Sequence, residues 1–376
     1  MTPTLTGSLF ADLLLYLFCL SLLIQLWFLL FRFSKMAFYR DTDRTAFSSP
    51  VSVIICARNE LKNLRENLPL FLDQDYPEYQ VVVVNDCSWD ESDKMLEEMA
   101  KEYPRLKVVT IAEQEKYRHG KKFALSLGIK GAAHEHLLLT DADCQPCSRN
   151  WIRKMASGFD QNKQIVLGYG AYRRTPGLLD KFIRIDTVFT AIQYMSAAIA
   201  GKPYMGVGRN LGYTKTLFFK NKGFASHNHI MSGDDDLFVN QASNGSNTTV
   251  ELRADAFTLS RPRPSFISWM QQKKRHMSTG IHYRTGNKMT LGLFFLSLIL
   301  FYLSIAGVFF FPLLIIPVAA GFGVRLLVQL LIFGKCMKKL GELDLLWMVP
   351  FFDLFAALLY PLLSLSNLIF KDKTWK

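Results

Sequence analysis

The chain has 376 residues, a net charge of +12, 50% hydrophobic residues and 20% charged ones. That apolar fraction excludes a disordered chain, and six cysteines over this length exclude a disulfide-stapled module. What is left is a mixed protein, part soluble domain and part membrane anchor.

Residues 8–33 form the first long apolar run, interrupted by Asp12 and Gln25. At 1.5 Å per residue such a run crosses a ~30 Å hydrocarbon core. A cleaved signal peptide would need a basic start, a shorter apolar core and a small-residue cleavage site. None is visible, so the run reads as a retained anchor. Arg32, Lys35, Arg40 and Arg44 follow it, and the bias of basic residues toward the cytoplasmic side puts the next domain in the cytosol. We therefore divide the chain into an anchor with its basic flank (1–44), a soluble domain (45–264), an interfacial segment (265–288) and a C-terminal membrane region (289–376).

Within the soluble domain, residues 51–56 (VSVIIC) read as a strand, followed by Arg58-Asn59-Glu60 and a helical pattern on Leu61, Leu64 and Leu68. A second strand at 79–84 ends in Asn85-Asp86, with a helical pattern over 91–102. A third strand at 106–111 and a helix at 121–133 precede a fourth strand at 136–140. Continuous apolar strands alternating with amphipathic helices predict an α/β domain with a mostly parallel sheet, covered on both faces. Ligands of such sheets bind beyond the carboxyl ends of the strands, where Arg58, Glu60, Asp86, Asp141 and Asp143 collect here. Neither G-x-G-x-x-G nor G-x-x-x-x-G-K-[ST] follows the first strand, so a dinucleotide site and a Walker ATPase are unsupported.

Several short motifs carry chemistry. Asp141-Ala142-Asp143 sets two carboxylates on one side of the chain, which suits Mg²⁺ or Mn²⁺ bridging to phosphate oxygens. Gly120-Lys121-Lys122, preceded by His119, opens a helix; it reads as an anion site or as a solvated basic start. Gly206-Val207-Gly208-Arg209-Asn210 is a glycine-rich turn that can bring backbone close to a ligand. Asp234-Asp235-Asp236 heads a helix; capping explains one acid there, while crowding of like charges raises a pKa and helps a general base. Cys144 and Cys147 are expected to be reduced structural thiols. Asn244 and Asn247 match glycosylation acceptors that would stay bare in the cytosol.

Residues 271–276 (QQKKRH) lie between the soluble domain and the membrane region, with Trp269, Met270 and Met277 among the basic residues. That pattern predicts an amphipathic helix in the interface plane. Residues 290–333 are long enough for two spans, with Pro312 and Pro317 near the turn, and Lys335, Lys338 and Lys339 follow. Residues 343–370 allow a third C-terminal span, but a crossing there would put Lys371, Lys373 and Lys376 on the wrong side; a re-entrant or interfacial segment would not. The basic excess flanks membrane segments, where it orients the chain and meets anionic lipid. No nucleic-acid-binding pattern accompanies it.

In order along the chain, PVSVIICARNE (50–60), NDCSWD (85–90), Gly120–Gly128, Asp141–Asp143, Gly206–Asn210, Asp234–Leu237 and Gln272–His276 resemble the membrane-bound family 2 glycosyltransferases. That group includes cellulose, hyaluronan and poly-N-acetylglucosamine synthases and ceramide glucosyltransferases. The resemblance implies a GT-A fold with N- and C-terminal transmembrane helices, and inverting transfer from a nucleotide sugar, UDP-linked, to a glycan or lipid acceptor. It implies that Asp86 holds the base beside the loop of Ala57, Arg58 and Glu60, and that Lys121 lies near the base or diphosphate. Asp141 and Asp143 would hold Mg²⁺ or Mn²⁺ on the diphosphate. Asp234 would be the general base, with Asp235 its rival. Arg275 would act on the leaving diphosphate, and Gly208, Arg209, Asn210, Gln272 and His276 would face the acceptor.

Two departures stand out: Gly233 replaces the usual Glu before the base, and His276 replaces the tryptophan of Q-x-x-R-W. The second weakens the case for a processive polymer synthase and favours single-sugar transfer to lipid. A non-catalytic nucleotide-sugar-binding subunit of a polysaccharide assembly is the reading from a different class; a polysaccharide-assembly partner or an oligomer is expected among the chain's partners. The layout fits the inner membrane of a bacterium, with the catalytic domain cytosolic, membrane lipid as a partner and no nucleic acid.

Overall fold

In the computed structural model of the chain, residues 8–41, 47–112, 120–230 and 232–369 are described. His119, Arg44, Lys371, Lys373 and Lys376 lie outside them. The chain opens with α1 (Leu9–Trp27), which runs on through a π-helical stretch (Phe28–Phe33) into α2 (Ser34–Ala37). The soluble domain then alternates β1 (Val51–Ala57), α3 (Leu61–Leu72), β2 (Tyr79–Asp86), α4 (Ser92–Glu102), β3 (Leu106–Ile111), α5 (Lys121–Gly131) and β4 (His136–Asp141). This is the expected β-α-β series. Val53, Ile54, Val81, Val82, Leu137 and Leu138 are buried, because helices cover both faces of the sheet.

The second half of the domain adds shorter pieces: β5 (Cys144–Pro146), α6 (Trp151–Ala156), β6 (Ile165–Leu167), β7 (Gly170–Tyr172) and the long α7 (Leu178–Ile199). After them come β8 (Leu211–Thr214), α8 (Lys215–Lys220), α9 (Asp236–Ala242), β9 (Thr248–Val250) and β10 (Thr258–Ser260). The main sheet has seven strands in the order β3-β2-β1-β4-β8-β6-β9, with β8 antiparallel to both neighbours. A three-stranded sheet, β5-β10-β7, lies beside it. The carboxyl ends of β1, β2 and β4 share one edge, since Ala57 pairs with Asn85 and Cys56 with Asp141.

The chain then forms α10 (Phe266–Met277), α11 (Thr285–Val308), α12 (Ile315–Leu340) and α13 (Val349–Ile369). Ser265 caps α10 through a capping box with Ser268, and Pro312 opens the short 3₁₀ turn between α11 and α12. Pro317 lies inside the first turn of α12, not in the connection as expected. Among the described residues four helical segments are long and apolar enough to cross a membrane: Leu9–Ala37, Thr285–Val308, Pro312–Leu340 and Leu343–Asn367.

Buried polar contacts fix these helices to each other and to the domain. Arg325 of α12 meets Asp353 of α13 at 2.8 Å and Gln25 of α1 at 2.8 Å. Gln329 and Tyr302 also bond Asp353, and Gln25 bonds Ser297. On the domain side, Arg184 of α7 is enclosed by Asp180, Glu342 and Asp344. Arg184 and Glu342 are both buried, so removing the guanidinium leaves carboxylates without their counter-charge. Breaking a buried pair from one side costs about 3–5 kcal/mol. Arg184→Ala is therefore expected to lower the thermal unfolding midpoint in detergent clearly, whereas exposed Arg149→Ala, whose partner Asp73 is also exposed, should change it little. Equal midpoints for the two variants would contradict this role for Arg184.

Candidate active site

The loops after β1 and β2 clasp each other. Asn59 takes a left-handed backbone (φ 56) and its N–H donates to Ser88 Oγ at 3.0 Å. In return the Trp89 N–H donates to Asn59 Oδ1 at 3.0 Å, and the Leu61 N–H donates to Asp90 at 2.9 Å. This holds Ala57, Arg58, Glu60 and Asp86 on one wall of a cavity of about 1330 Å³. Asp86 is 2% exposed, and neither of its carboxylate oxygens has a protein hydrogen-bond partner. Leaving a buried carboxylate unpaired is costly, which makes this side chain a candidate acceptor for a ligand's donor.

The floor is acidic. Lys121, at the start of α5, sits between Asp141 (2.8 Å) and Asp234 (2.9 Å). Burial alone pushes the Asp141 carboxyl up, but the Lys121 ammonium outweighs it and holds the group below its usual value. Asp143 has no such partner; burial and the Asp141 charge raise it. One ligand atom each from Asp141, Asp143 and Cys144 lie within 4.8 Å of one another. The Cys144 thiol is pushed well up by burial and neighbouring carboxylates, so the two carboxylates are the donors that suit a hard cation.

The acidic run divides into three roles by contact. Asp234 pairs with Lys121. Asp235 caps α9 and accepts from the Gly208 N–H at 2.7 Å. Asp236 accepts from Tyr283 at 2.7 Å and from Thr279, tying α9 to the segment after α10. Burial, then the charges of Asp234 and Asp236, push the Asp235 carboxyl up to about 7. Gly233 explains its departure from the usual Glu: its φ is +94, and a Cβ there would lie 2.4 Å from Leu237.

Gly208 and Arg209 line the cavity, with the Arg209 guanidinium 4.2 Å above the Tyr172 ring. Asn210 does not line it, contrary to the acceptor role expected for it. Its amide is buried and spent on Tyr169 O, Ala256 O and the Trp151 indole N–H, so it braces β8 against the small sheet. Gln272, Arg275 and His276 project from α10 into the cavity. His276 is exposed to the cavity; desolvation there, then the nearby Arg275, Lys273 and Arg209, push its imidazole down, which favours the neutral form.

Sequence reasoning missed a third group on the cavity wall. Lys273 of α10 donates to Asp186 of α7 at 2.6 Å and to Tyr360 of α13 at 2.9 Å, and Tyr360 donates to Asp186 at 2.6 Å. No local motif marks them, because the partners lie 87 and 174 residues apart.

The raised Asp235 carboxyl makes a stability prediction. Its folded pKa, about 7, exceeds the usual unfolded value near 4. Its contribution is therefore fully present below about pH 4 and lost as pH rises through about 7. Asp235→Asn, which stays neutral, should thus gain stability relative to the wild type on going from about pH 5 to about pH 8. A mutant–wild-type difference in unfolding midpoint that is flat over this interval would refute the shift.

Residues 52–218 match the family model described as "Glycosyl transferase family 2". Glycosyltransferase AglE of Haloferax volcanii is 27% identical over 199 residues, covering 51% of this chain and 61% of the relative. The poly-beta-1,6-N-acetyl-D-glucosamine synthase of Staphylococcus epidermidis is 30% identical over 93 residues, covering 25% and 21%. The chain thus spans less than two thirds of either relative's length. Mannosyltransferase PcManGT of Pyrobaculum calidifontis, solved with GDP-Man and Mn²⁺, superposes with a TM-score of 0.60 at 18% identity, over 97% of this chain and all of that one. That likeness extends beyond the sheet to the membrane-facing helices. Residues 52–218 thus match a family 2 glycosyltransferase domain, and the structural likeness, taken with the sheet order, gives it a GT-A fold.

Proposed function

We propose that the chain is an inverting glycosyltransferase that moves a sugar from a nucleotide sugar, UDP-linked, to an acceptor hydroxyl at the membrane surface. One observation carries this reading. The unpartnered Asp86, the Asp141/Asp143 pair, the acidic run 234–236 and Arg275 all face a single cavity. Asp86 accepts from an imide N–H of the base, as uracil offers, flanked by Ala57, Arg58 and Glu60. Asp141 and Asp143 would hold Mg²⁺ or Mn²⁺, which supplies charge neutralisation for the diphosphate when bound. Arg275 would stabilise the negative charge that develops on the leaving group.

Either Asp234 or Asp235 takes the acceptor proton. Sequence resemblance favours Asp234; its pairing with Lys121 ties it instead to the donor side. Asp235 touches the Gly208 turn and its carboxyl is poised near 7, where a general base works best. We assign the base to Asp235 and give Asp234 the task of positioning Lys121. Gly208, Arg209, Gln272 and the neutral His276 then border the acceptor.

The basic ends of the anchoring helices support a cytosolic catalytic domain. Lys339, at the end of α12, donates to the Tyr39 carbonyl beyond α2 at 2.8 Å, so these basic flanks gather on the domain's side of the membrane, as the positive-inside bias expects.

Loss of a positioned general base typically costs ~10²–10⁴ in rate. Asp235→Asn should fall by that much in kcat with nucleotide binding intact, and Asp234→Asn by less. Wild-type kcat/KM should rise with pH through about 7. Full transfer by Asp235→Asn with a silent Asp234→Asn would return the base to Asp234.

A further inference from the structure

The cavity does not end at the nucleotide site. Its far part is lined by Leu291, Phe295, Leu296 and Ile299 of α11 and by Tyr360 and Pro361 of α13. Its volume of about 1330 Å³ exceeds the ~300–1,000 Å³ usual for a small-molecule site. Leu296 is 54% exposed as well as cavity-lining, so this part opens sideways to the bilayer. From Leu291 to Ile299 the lining descends about 12 Å along the helix.

Among the described residues the same cavity shows no way across. Among the described residues no side chain of α1 or α12 lines it. The space between those helices, α11 and α13 holds the buried Arg325–Asp353–Gln25–Gln329 contacts. A conduit for exported polymer would have to cross the full ~30 Å. Nor does α13 lead away from the domain. Phe355 stacks on Trp269 of α10, Tyr360 bonds Asp186 and Lys273, and Asn367 donates to the Lys274 carbonyl at 3.0 Å. From Phe355 to Asn367 it thus runs along the domain's side, and it forms one lip of the opening, with α11 the other.

Building on the transferase reading above, we propose that the acceptor is a membrane lipid with a hydroxyl-bearing head, admitted sideways between α11 and α13. The tail lies along the aliphatic wall of α11. The head meets the polar collar of Lys273, Asp186 and Tyr360; two of the three ammonium hydrogens of Lys273 serve Asp186 and Tyr360, which leaves one for the head. Beyond the collar the hydroxyl reaches the acidic run. Its oxygen bonds to the anomeric carbon, and its proton passes to Asp235. The bond from that carbon to the diphosphate oxygen breaks, and its electron pair leaves with the nucleoside diphosphate.

Gly292 of α11 lines the opening, and a Cβ built there meets nothing within 4 Å, so Gly292→Phe should plug the opening without disturbing the fold. The full chain would be placed in vesicles of bacterial total lipid containing dioleoylglycerol, with labelled donor. A soluble N-acetylglucosamine oligomer would serve as the second acceptor. The expected result is label in the butanol-extracted lipid, lowered at least about tenfold by Gly292→Phe while nucleotide binding is kept. Label confined to water-soluble product, or wild-type lipid labelling by Gly292→Phe, would overturn the proposal. Failure of every donor to turn over would instead strike the transferase reading. The opening is then tested without catalysis by native mass spectrometry: dioleoylglycerol retained by the wild type and lost from Gly292→Phe supports it, and equal occupancy overturns it.

Discussion

Five carboxylates, Asp141, Asp143, Asp234, Asp235 and Asp236, crowd into one cavity, and the ammonium of Lys121 is what makes that crowd tolerable. It lies 2.8 Å from Asp141 and 2.9 Å from Asp234, joining the end of β4 to the head of α9. Without that charge, burial and mutual repulsion would push Asp141, Asp143, Asp235 and Asp236 toward the protonated form. With it, they diverge. Asp141 is held ionised, while burial and neighbouring acids push Asp143 and Asp235 up. Carboxyls with separated pKa values in one site are the means by which a single cavity can both grip a cation and accept a proton.

The second constraint is mechanical. The sheet domain must hold its cavity against the helical bundle; two buried basic side chains do this, and a third braces the bundle itself. Arg184 links α7 to the turn after α12, Lys273 links α10 to α7 and α13, and Arg325 links α12 to α1 and α13. Each is paired with carboxylate, so each favours one arrangement of the elements over slipped alternatives. The cavity wall formed by α7, α10, α11 and α13 depends on that arrangement.

Much of this was legible from residues alone. The four parallel strands announced themselves through continuous apolar runs, and the acids beyond the carboxyl ends of β1, β2 and β4 marked the binding edge. The anchor and the paired C-terminal spans followed from apolar length. The strands β6, β8 and β9, three or four residues each, were not legible, since so short a run carries no period of its own. Asn210 was misread because its motif neighbours Gly208 and Arg209 do face the cavity; only the fold shows that its amide is used up in the core. The Lys273–Asp186–Tyr360 collar and the course of α13 depend on contacts between distant elements, which no local pattern encodes.

The central claim is that this cavity transfers sugar from a nucleotide donor. The most direct measurement is release of nucleoside diphosphate by the purified full chain in mild detergent with lipid added. UDP-glucose, UDP-N-acetylglucosamine, UDP-galactose and GDP-mannose would be compared, each with Mn²⁺ or Mg²⁺ and again with EDTA. Metal-dependent release from one UDP-sugar is the result this account predicts. Nucleotide binding without release from any donor would contradict it, and would leave the chain a nucleotide-sugar binder rather than an enzyme.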